Sequence, residues 1–407
     1  MIYCVIKEQK MENLIQNEFL YSPLHAKARI ESSPNFKNGR AQNREPIVLG
    51  NKDTESSTQD LAQLLQPYNK DSVMSHITPS EIPQSSHDLK TRNLQSSQNH
   101  KTPKPKSLLR ELLSPDRVII PSVKSDLLQA PKEDSFVWFG HSSLLLWLNG
   151  KTLLVDPVLK SCASPLPWVI PPFAGADIYS AHDLPKIDYL LITHNHYDHL
   201  SKRTLRDLRG KIGCVITPLG VGKYLVRFGI EPCQIIELDW DEHIKLDSTL
   251  RVHCLTARHF SGRGIFDRDK SLWTSFVLES QNKKIFLSGD GGYGAHFGEI
   301  GARFGGIDFA FIENGQYNLK WAQVHSFPHE SLQALKDLRA KKAMPIHNSK
   351  FKISTHSWRA PLDSLLALYE RDLSADFVLL TPKIGAITPL WQDIKTPRWW
   401  QEVAESK

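Results

Sequence analysis

The chain has 407 residues, of which 40% are hydrophobic and 23% are charged, and its formal net charge is +6 at pH 7. This composition is typical of a soluble globular protein, and no apolar run approaches the ~20 residues of a membrane helix. The five scattered cysteines form no CxxC pair, which favours reduced thiols and a cytoplasmic location.

Residues 1–106 differ in amino-acid composition and apolar pattern from the rest of the chain. Their stretches rich in Ser, Gln, Asn, Lys and Pro lack apolar periodicity, so burial would not offset the entropy of ordering them. We therefore predict a low-complexity extension that is mostly disordered or draped over the surface, with a short helix over residues 58–65. The first residues contain neither a sustained apolar core nor a small-residue cleavage site, so a secretory signal is not indicated.

A packed domain is predicted over residues 107–395, followed by a tail over residues 396–407. The domain opens with three short apolar strands, over residues 136–140, 144–148 and 152–155. Asn149-Gly150 predicts a tight hairpin turn between the last two of them. Residues 161–175, with four prolines, predict an irregular loop that either lines a pocket or merely connects elements. Trp399-Trp400 is interpreted as an anchor of the tail, with a docking patch as the alternative.

Strands and helices then alternate. Further strands are predicted over residues 189–193, 214–217, 235–238, 250–256, 273–278, 284–287, 309–312, 343–346 and 377–380. Helices are predicted over residues 202–209, 218–228, 328–341 and 364–369. The second helix begins at Pro218 and stops at Gly229, the usual asymmetry of helix ends. This order of elements predicts an α/β fold of stacked sheets flanked by helices.

The segment DYLLITHNHYDHL, residues 188–200, carries the strongest chemical signal. A short buried strand is followed at once by His194, His196, Asp198 and His199, residue types that are rarely buried without partners. Three more candidate ligands each follow an apolar strand: His259, Asp290 and His347. Seven ligands suffice for two metal ions that each keep an open position, with Asp290 as the bridging carboxylate. Zinc suits this set, and iron or manganese would also fit.

The HxHxDH motif resembles that of the metallo-β-lactamase superfamily. Within it, the segments FGHSSLLLWLNGKTLLVDPVL, ARHFSGRG and FLSGDGGYG, and the upstream PNFKNGR, are similar to the group of phospholipases D that hydrolyse N-acyl-phosphatidylethanolamine. The resemblance implies a four-layer αβ/βα sandwich, the metallo-β-lactamase fold. It also implies one zinc held by His194, His196 and His259 and a second held by Asp198, His199 and His347, with Asp290 shared. Two departures from the group's pattern are Gly291 in place of a threonine and the sequence IENGQYN, which the resemblance places at a wall of the substrate cavity. They leave the zinc ligands intact and bear on the choice of lipid.

The resemblance further implies a dinuclear zinc hydrolase in which a metal-bridging hydroxide attacks a phosphodiester of an N-acyl-phosphatidylethanolamine-like lipid. Asp198 would orient that hydroxide or take its proton. His325 resembles the family's non-ligand histidine near the substrate phosphate, where it would neutralise an oxygen or protonate the leaving group. Tyr293, Arg258 and His356 are further candidates for substrate contact, each with an equally good structural interpretation.

Several alternatives stay open. In the first, the chain is a hydrolase of the same fold that cleaves a lactone or another cyclic ester or phosphoester, as relatives with similar sites do. A nuclease is disfavoured because no inserted domain or basic stripe is visible, so nucleic acid is not expected as a partner. A flavin-coupled di-iron oxidoreductase is disfavoured because His196 is intact. A non-catalytic scaffold is disfavoured because no ligand is missing. A homodimer and a peripheral contact with membrane remain compatible with a small-molecule or phospholipid substrate.

Three further residues near the motifs could have either a purely structural role or a role in the site. His141 is interpreted as a hydrogen-bonding residue of the sheet, with support of the metal ligands as the alternative. Arg263 either attracts a phosphate or pairs with nearby acids. Cys254 is interpreted as a small core residue.

Overall fold

The computed structural model describes residues 19–47, 118–166 and 168–403. Its strands are β1 (Phe36–Lys37), β2 (Arg40–Ala41), β3 (Ser135–Trp138), β4 (Leu144–Leu148), β5 (Lys151–Val155), β6 (Ile187–Leu191), β7 (Ile212–Pro218), β8 (Ile235–Leu238), β9 (His243–Lys245), β10 (Leu250–Leu255), β11 (Ser275–Ser280), β12 (Lys283–Leu287), β13 (Phe309–Glu313), β14 (Lys342–Ile346), β15 (Val378–Leu379) and β16 (Thr388–Pro389). Its helices are α1 (Pro23–Ser32), α2 (Lys202–Leu208), α3 (Gly222–Phe228), α4 (His296–Phe304), α5 (Pro328–Asp337) and α6 (Ala360–Arg371). Short 3-10 turns occupy Ala181–Asp183, Pro232–Gln234, Leu319–Trp321 and Trp399–Glu402.

Two seven-stranded sheets form the domain. The first has the order β16-β3-β4-β5-β6-β7-β8 and the second the order β15-β14-β13-β12-β11-β10-β9. In each sheet four consecutive strands pair antiparallel, and the other three strands add to them in parallel. The parallel strands bring several chain segments to the same edge of each sheet, where loops can carry polar side chains.

The main core lies between the two sheets. Phe136 of the first sheet packs edge-on against Phe309 and Phe311 of the second, with ring centroids 5.4 Å and 5.0 Å apart. The outer face of the first sheet packs against α2 and α3, and that of the second against α4, α5 and α6. The four-layer αβ/βα sandwich predicted from the sequence is therefore confirmed.

The amino-terminal segment 19–47 packs against β8 of the first sheet and against the loop that follows β8. Leu20 makes a β-bridge to Ile236, and the guanidinium of Arg29 pairs with the carboxylate of Glu242. This part of the predicted extension is thus fixed to the domain surface. The predicted helix over residues 58–65 lies outside the described residues.

The carboxyl-terminal tryptophans are buried, as the anchoring interpretation predicted. Trp399 stacks on Trp358, and the indole of Trp400 donates a hydrogen bond to Asp363 at 2.9 Å. None of the helices in the described ranges has the length and apolar character that a membrane span requires.

Some predicted elements were wrong in their bounds. Pro218 does not open a helix: it is the last residue of β7, in register with Leu238, and α3 begins only at Gly222. The end of that helix at Gly229 is confirmed, because this glycine adopts a left-handed φ of 96°. The helix predicted to reach residue 341 stops at Asp337. Strands β1, β2, β9 and β16 and helices α1 and α4 were not predicted.

Candidate functional site

The polar residues that follow the parallel strands converge at one edge of the sandwich. The HNHYDH loop follows β6, Asp290 follows β12 and His347 follows β14. Gly289, just before Asp290, has a φ of 60°, and a Cβ there would lie 2.5 Å from the carbonyl oxygen of Thr274. Only glycine suits that turn, which directs the Asp290 carboxylate into the site.

One group of ligand atoms comes from His194, His196, His259 and Asp290. The Nε2 atoms of His194 and His259 lie 2.9 Å and 3.2 Å from Nδ1 of His196. Nδ1 of His259 faces the carbonyl of Val324 at 2.9 Å, so its Nε2 carries the free lone pair. Three imidazole nitrogens this close, aimed at a common point, are the arrangement that a cation stabilises.

A second group comes from Asp198, His199 and His347, with His141 beside them. The Nε2 atoms of His199 and His347 lie 3.5 Å and 3.4 Å from Oδ2 of Asp198. Both histidines are fully buried. This group has the donor set of a second cation site.

Asp290 joins the two groups. Its Oδ2 lies 3.8 Å from Nε2 of both His194 and His259, while its oxygens lie 3.0 Å from Nε2 of His199 and 3.1 Å from that of His347. Nε2 of His199 and Oδ1 of Asp290 are buried but make no hydrogen bond among the described residues. Buried polar atoms are costly without partners, so these atoms fit a bound metal pair. Nitrogen and oxygen donors of this kind suit zinc, iron or manganese.

The electrostatics support neutral ligands in the first group. Burial lowers the pKa of His194 and His259 well below the usual value, and that of His196 to about 4. Burial also acts to lower the pKa of His199 and His347, but neighbouring carboxylates, Asp290 foremost, outweigh it and raise both values. A metal ion would displace the protons that these two rings hold in its absence.

Three residues behind the ligands were not predicted as parts of the site. Asp156, just after β5, accepts hydrogen bonds from Nδ1 of His199 at 2.8 Å and from the Thr193 hydroxyl at 2.6 Å. Glu313, at the end of β13, lies 3.2 Å from Nδ1 of His347. Asn43, from the amino-terminal segment, donates to the His259 carbonyl at 2.8 Å and accepts from its N–H at 3.1 Å. Asp156 and Glu313 follow the same signal as Asp290, an acid at the end of a buried strand.

The ring of His141 contacts one of the candidate ligands, which favours the alternative interpretation, support of those ligands, over a plain hydrogen-bonding role in the sheet. Its Nε2 lies 2.9 Å from Oδ2 of Asp198, and its backbone exchanges hydrogen bonds with His347 and Asn348. His141, Asp156 and His347 all have left-handed φ values, of 55°, 41° and 67°. Residues other than glycine rarely adopt this region, and such strain concentrates at functional sites.

His325 lies at the border of the site. A nitrogen of its ring shares a cluster with Asp290, Glu313 and His347, and its Nδ1 contacts the Glu313 carboxylate. Its side chain is 12% exposed, whereas that of His347 is fully buried. This partly exposed position suits a residue that contacts the substrate, rather than one that binds a metal ion.

The other predicted substrate contacts have structural partners. The Tyr293 hydroxyl donates to Asp337 at 2.6 Å, and the Arg258 guanidinium donates to the carbonyls of Tyr293 and Pro46. His356 stacks on Tyr317 with centroids 4.5 Å apart. Their contact with substrate stays a prediction that none of these contacts supports.

Arg263 and Cys254 have the environments of structural residues. Arg263 donates to the carbonyls of Asn195, His196 and Leu200 and so fastens the HNHYDH loop, and within the described ranges its guanidinium forms no ion pair. Cys254 is fully buried between the sheets, as predicted.

Comparison with known proteins gives consistent matches. Residues 151–348 match the family model described as a beta-lactamase superfamily domain. An uncharacterised protein of Mycobacterium tuberculosis is 36% identical over 65% of this chain and 71% of its own length. The N-acyl-phosphatidylethanolamine-hydrolyzing phospholipase D 1 of Caenorhabditis elegans is 30% identical over 61% of this chain and 74% of its own length. The crystal structure of an isothiocyanate hydrolase from Delia radicum gut bacteria matches with a TM-score of 0.50 and 17% identity over 63% of this chain and 98% of that one.

Proposed function

This chain belongs to the metallo-β-lactamase superfamily of metal-dependent hydrolases, and from that premise we propose that it is a dinuclear zinc phosphodiesterase. The proposed substrates are phospholipids resembling N-acyl-phosphatidylethanolamine, cleaved as a phospholipase D would cleave them. The observation that carries the proposal is Asp290, whose carboxylate lies within 3.8 Å of imidazole nitrogens from both ligand groups. A relative that is 30% identical carries that phospholipase name, which supports the substrate class.

The residues that would hold the metals are those of the two groups. His194, His196 and His259 would hold one ion; Asp198, His199 and His347 would hold the other; Asp290 would touch both. A metal pair supplies Lewis acidity and lowers the pKa of water from 15.7 towards ~7.

The chain's own residues then perform three tasks. His141 holds Oδ2 of Asp198 at 2.9 Å, which leaves the other oxygen of that carboxylate to orient a water or take its proton. Glu313 fixes the His325 ring through Nδ1, so that the opposite nitrogen is the one to meet a phosphate oxygen or a leaving group. Asp156 fixes the orientation of the ligand His199 through its hydrogen bond to Nδ1, and the Glu313 carboxylate lies 3.2 Å from Nδ1 of the ligand His347.

The net reaction adds one water across a P–O bond. The phosphorus gains a hydroxyl oxygen, and the alcohol leaves with the proton that His325 donates. With an N-acylated phosphatidylethanolamine the products are phosphatidate and the N-acylethanolamine.

The experiment is a metal analysis combined with a substrate panel. Purified protein is assayed for metal per chain and for turnover of a simple phosphodiester, an N-acylated phosphatidylethanolamine, phosphatidylcholine and a lactone, with zinc, iron or manganese supplied. We expect two metals per chain and hydrolysis of the phosphodiesters. Turnover of lactones with none of phosphodiesters would overturn the proposal.

Asp290→Ala gives the matching variant. It should lose at least one metal and about a hundredfold or more in turnover, because both groups lose a shared ligand. Asp372→Ala is the control, since Asp372 is a surface residue that pairs with Lys336 and touches none of the candidate ligands.

A further inference from the structure

A cleft of about 1050 Å³ lies beside the HNHYDH loop. Tyr197 of that loop lines it, and so does Arg263, whose guanidinium stacks over the Tyr197 ring at 3.9 Å. In the described part of the chain, none of the seven candidate metal ligands lines this cleft. The cleft is therefore distinct from the candidate metal centre but shares a wall with it.

The lining of the cleft is basic. Three acidic side chains line it, against six basic ones. The basic ones are Lys160, Lys202, Arg203, Arg206, Arg227 and Arg263. Two of the acids are already engaged, Asp177 with the buried ammonium of Lys350 at 3.1 Å and Asp267 with the Tyr224 hydroxyl at 2.7 Å. Arg203 and Arg206 of α2 are exposed and form no ion pair among the described residues. The cleft consequently presents unneutralised positive charge to solvent.

Two loops that line the cleft also expose large apolar side chains. The proline-rich loop lines it through Ser164 and Pro165, and it carries Leu166 and Trp168, which are 47% and 73% exposed. The second loop lines it through Gly264 and Asp267, and the two residues between them, Ile265 and Phe266, are 90% and 81% exposed. Scattered exposed apolar residues are ordinary, but four around one cleft mark a site of interaction.

We propose that this face, the basic cleft with its two apolar loops, docks the protein onto an anionic phospholipid surface. Basic side chains attract the negatively charged headgroups, and aromatic and aliphatic tips enter the boundary between headgroups and acyl chains. The combination fits a lipid surface better than an acidic protein, because the exposed apolar side chains stand on loops that themselves line the basic cleft. Docking would place the HNHYDH loop beside the bilayer, and it does not require that the hydrolysed substrate be a lipid.

The experiment is co-sedimentation of the full chain with vesicles. The vesicles contain phosphatidylcholine alone or with roughly a third of phosphatidylglycerol, in about 50 mM or about 500 mM NaCl. We expect binding to anionic vesicles to be about tenfold tighter than binding to neutral ones at low salt, and to weaken at high salt.

Two double variants separate the two components. Arg203→Glu with Arg206→Glu should reduce binding to the level of neutral vesicles, and Ile265→Ser with Phe266→Ser should weaken it about tenfold while its salt dependence remains. The matched controls, Lys27→Glu with Lys320→Glu and Leu24→Ser with Leu373→Ser, change exposed residues that do not line the cleft. Melting temperature and turnover of a soluble phosphodiester should stay unchanged in all four double variants.

Three outcomes would overturn the proposal. The wild-type chain fails to bind anionic vesicles, or the control variants lose as much binding as the cleft variants do. The third is a concentration-dependent dimer that Ile265→Ser with Phe266→Ser dissociates, without vesicle binding, which would assign the face to a second copy of the chain. Because vesicle binding and melting temperature decide the test, failure of the hydrolase proposal would remove only the turnover control and leave the binding results unaffected.

Discussion

Replacement of Asp156 by asparagine tests how the structure prepares one ligand of the candidate metal centre. The Asp156 carboxylate accepts from Nδ1 of His199 at 2.8 Å, from the Thr193 hydroxyl at 2.6 Å and from the Thr193 N–H at 2.8 Å. The amide of an asparagine at this position has only one accepting oxygen, which can still accept from the Thr193 N–H. Its NH₂ group then faces Nδ1 of His199 in place of the second carboxylate oxygen. Nδ1 of His199 must then give up its proton, and the neutral ring carries it on Nε2, the nitrogen that lies 3.0 Å from Asp290.

The size of the effect follows from that change of tautomer. Loss of a group that orients a metal ligand costs about 10–100-fold in metal affinity, or roughly 1.4–2.7 kcal/mol. Weakened hydrogen bonds to a charged acceptor cost the fold about 1.5–3 kcal/mol, which a domain of ~5–15 kcal/mol stability survives. We therefore expect Asp156→Asn to fold, to lose the metal of the Asp198–His199–His347 group first, and to lose turnover in proportion.

The assay is metal content after dialysis against increasing chelator concentrations, with phosphodiester turnover and melting temperature measured on the same samples. Asp188→Asn is the matched control. Asp188 is an exposed residue of β6 that accepts one backbone N–H, from Thr152 at 2.8 Å, and asparagine keeps that bond. The reasoning is refuted if Asp156→Asn retains both metals with the affinity of Asp188→Asn and turns over equally fast.

Further predictions concern stability and the loop. Burial lowers the pKa of His296 to about 4; below pH 6.5 the unfolded chain binds a proton that the folded one refuses. Wild type should thus lose about 2 kcal/mol more than His296→Leu between pH 7 and pH 5 in urea unfolding, and equal losses would contradict this. In Arg263→Lys the ammonium cannot keep all three carbonyl contacts that hold the HNHYDH loop, so turnover should fall about tenfold with little change in melting temperature. Wild-type kinetics would show that these contacts do not position the loop for turnover. Phe309→Ala, between the sheets, should cost about 3–5 kcal/mol in denaturant unfolding, and a loss below 1 kcal/mol would show that the core repacks.

The sequence alone was sufficient for most of the fold. Short apolar runs bounded by turn residues predict β3 to β7 within a few residues, and Asn149-Gly150 forms the hairpin turn with both φ values positive. The seven candidate ligands were found for the same reason, since each is a polar residue placed just after a buried strand. Their meeting at one edge was inferred from that placement, and their assignment to two metals came from the resemblance to a known family.

Helix α4 shows where the local signal fails. Phe297, Ile300 and Phe304 recur there at helical spacing, but glycines 298 and 301 weaken the helical propensity, and the helix was not predicted. A Cβ on Gly301 would lie 2.1 Å from the carbonyl oxygen of Asp337, so the glycine allows α4 to approach the end of α5. Pro218 is the reverse case: its sequence signal indicates a helix start, but pairing with β8 keeps it in the sheet.

What only the tertiary structure decided is which distant groups orient the ligands. Asn43 meets His259, Asp156 meets His199 and Glu313 meets both His325 and His347, although each partner is 12 to 216 positions away in the chain. Amphipathic periods and turn residues are properties of neighbouring positions and can be recognised in the sequence itself. A hydrogen bond between remote residues exists only because packing of the whole domain has already compensated the entropy of bringing them together, so no local pattern records it.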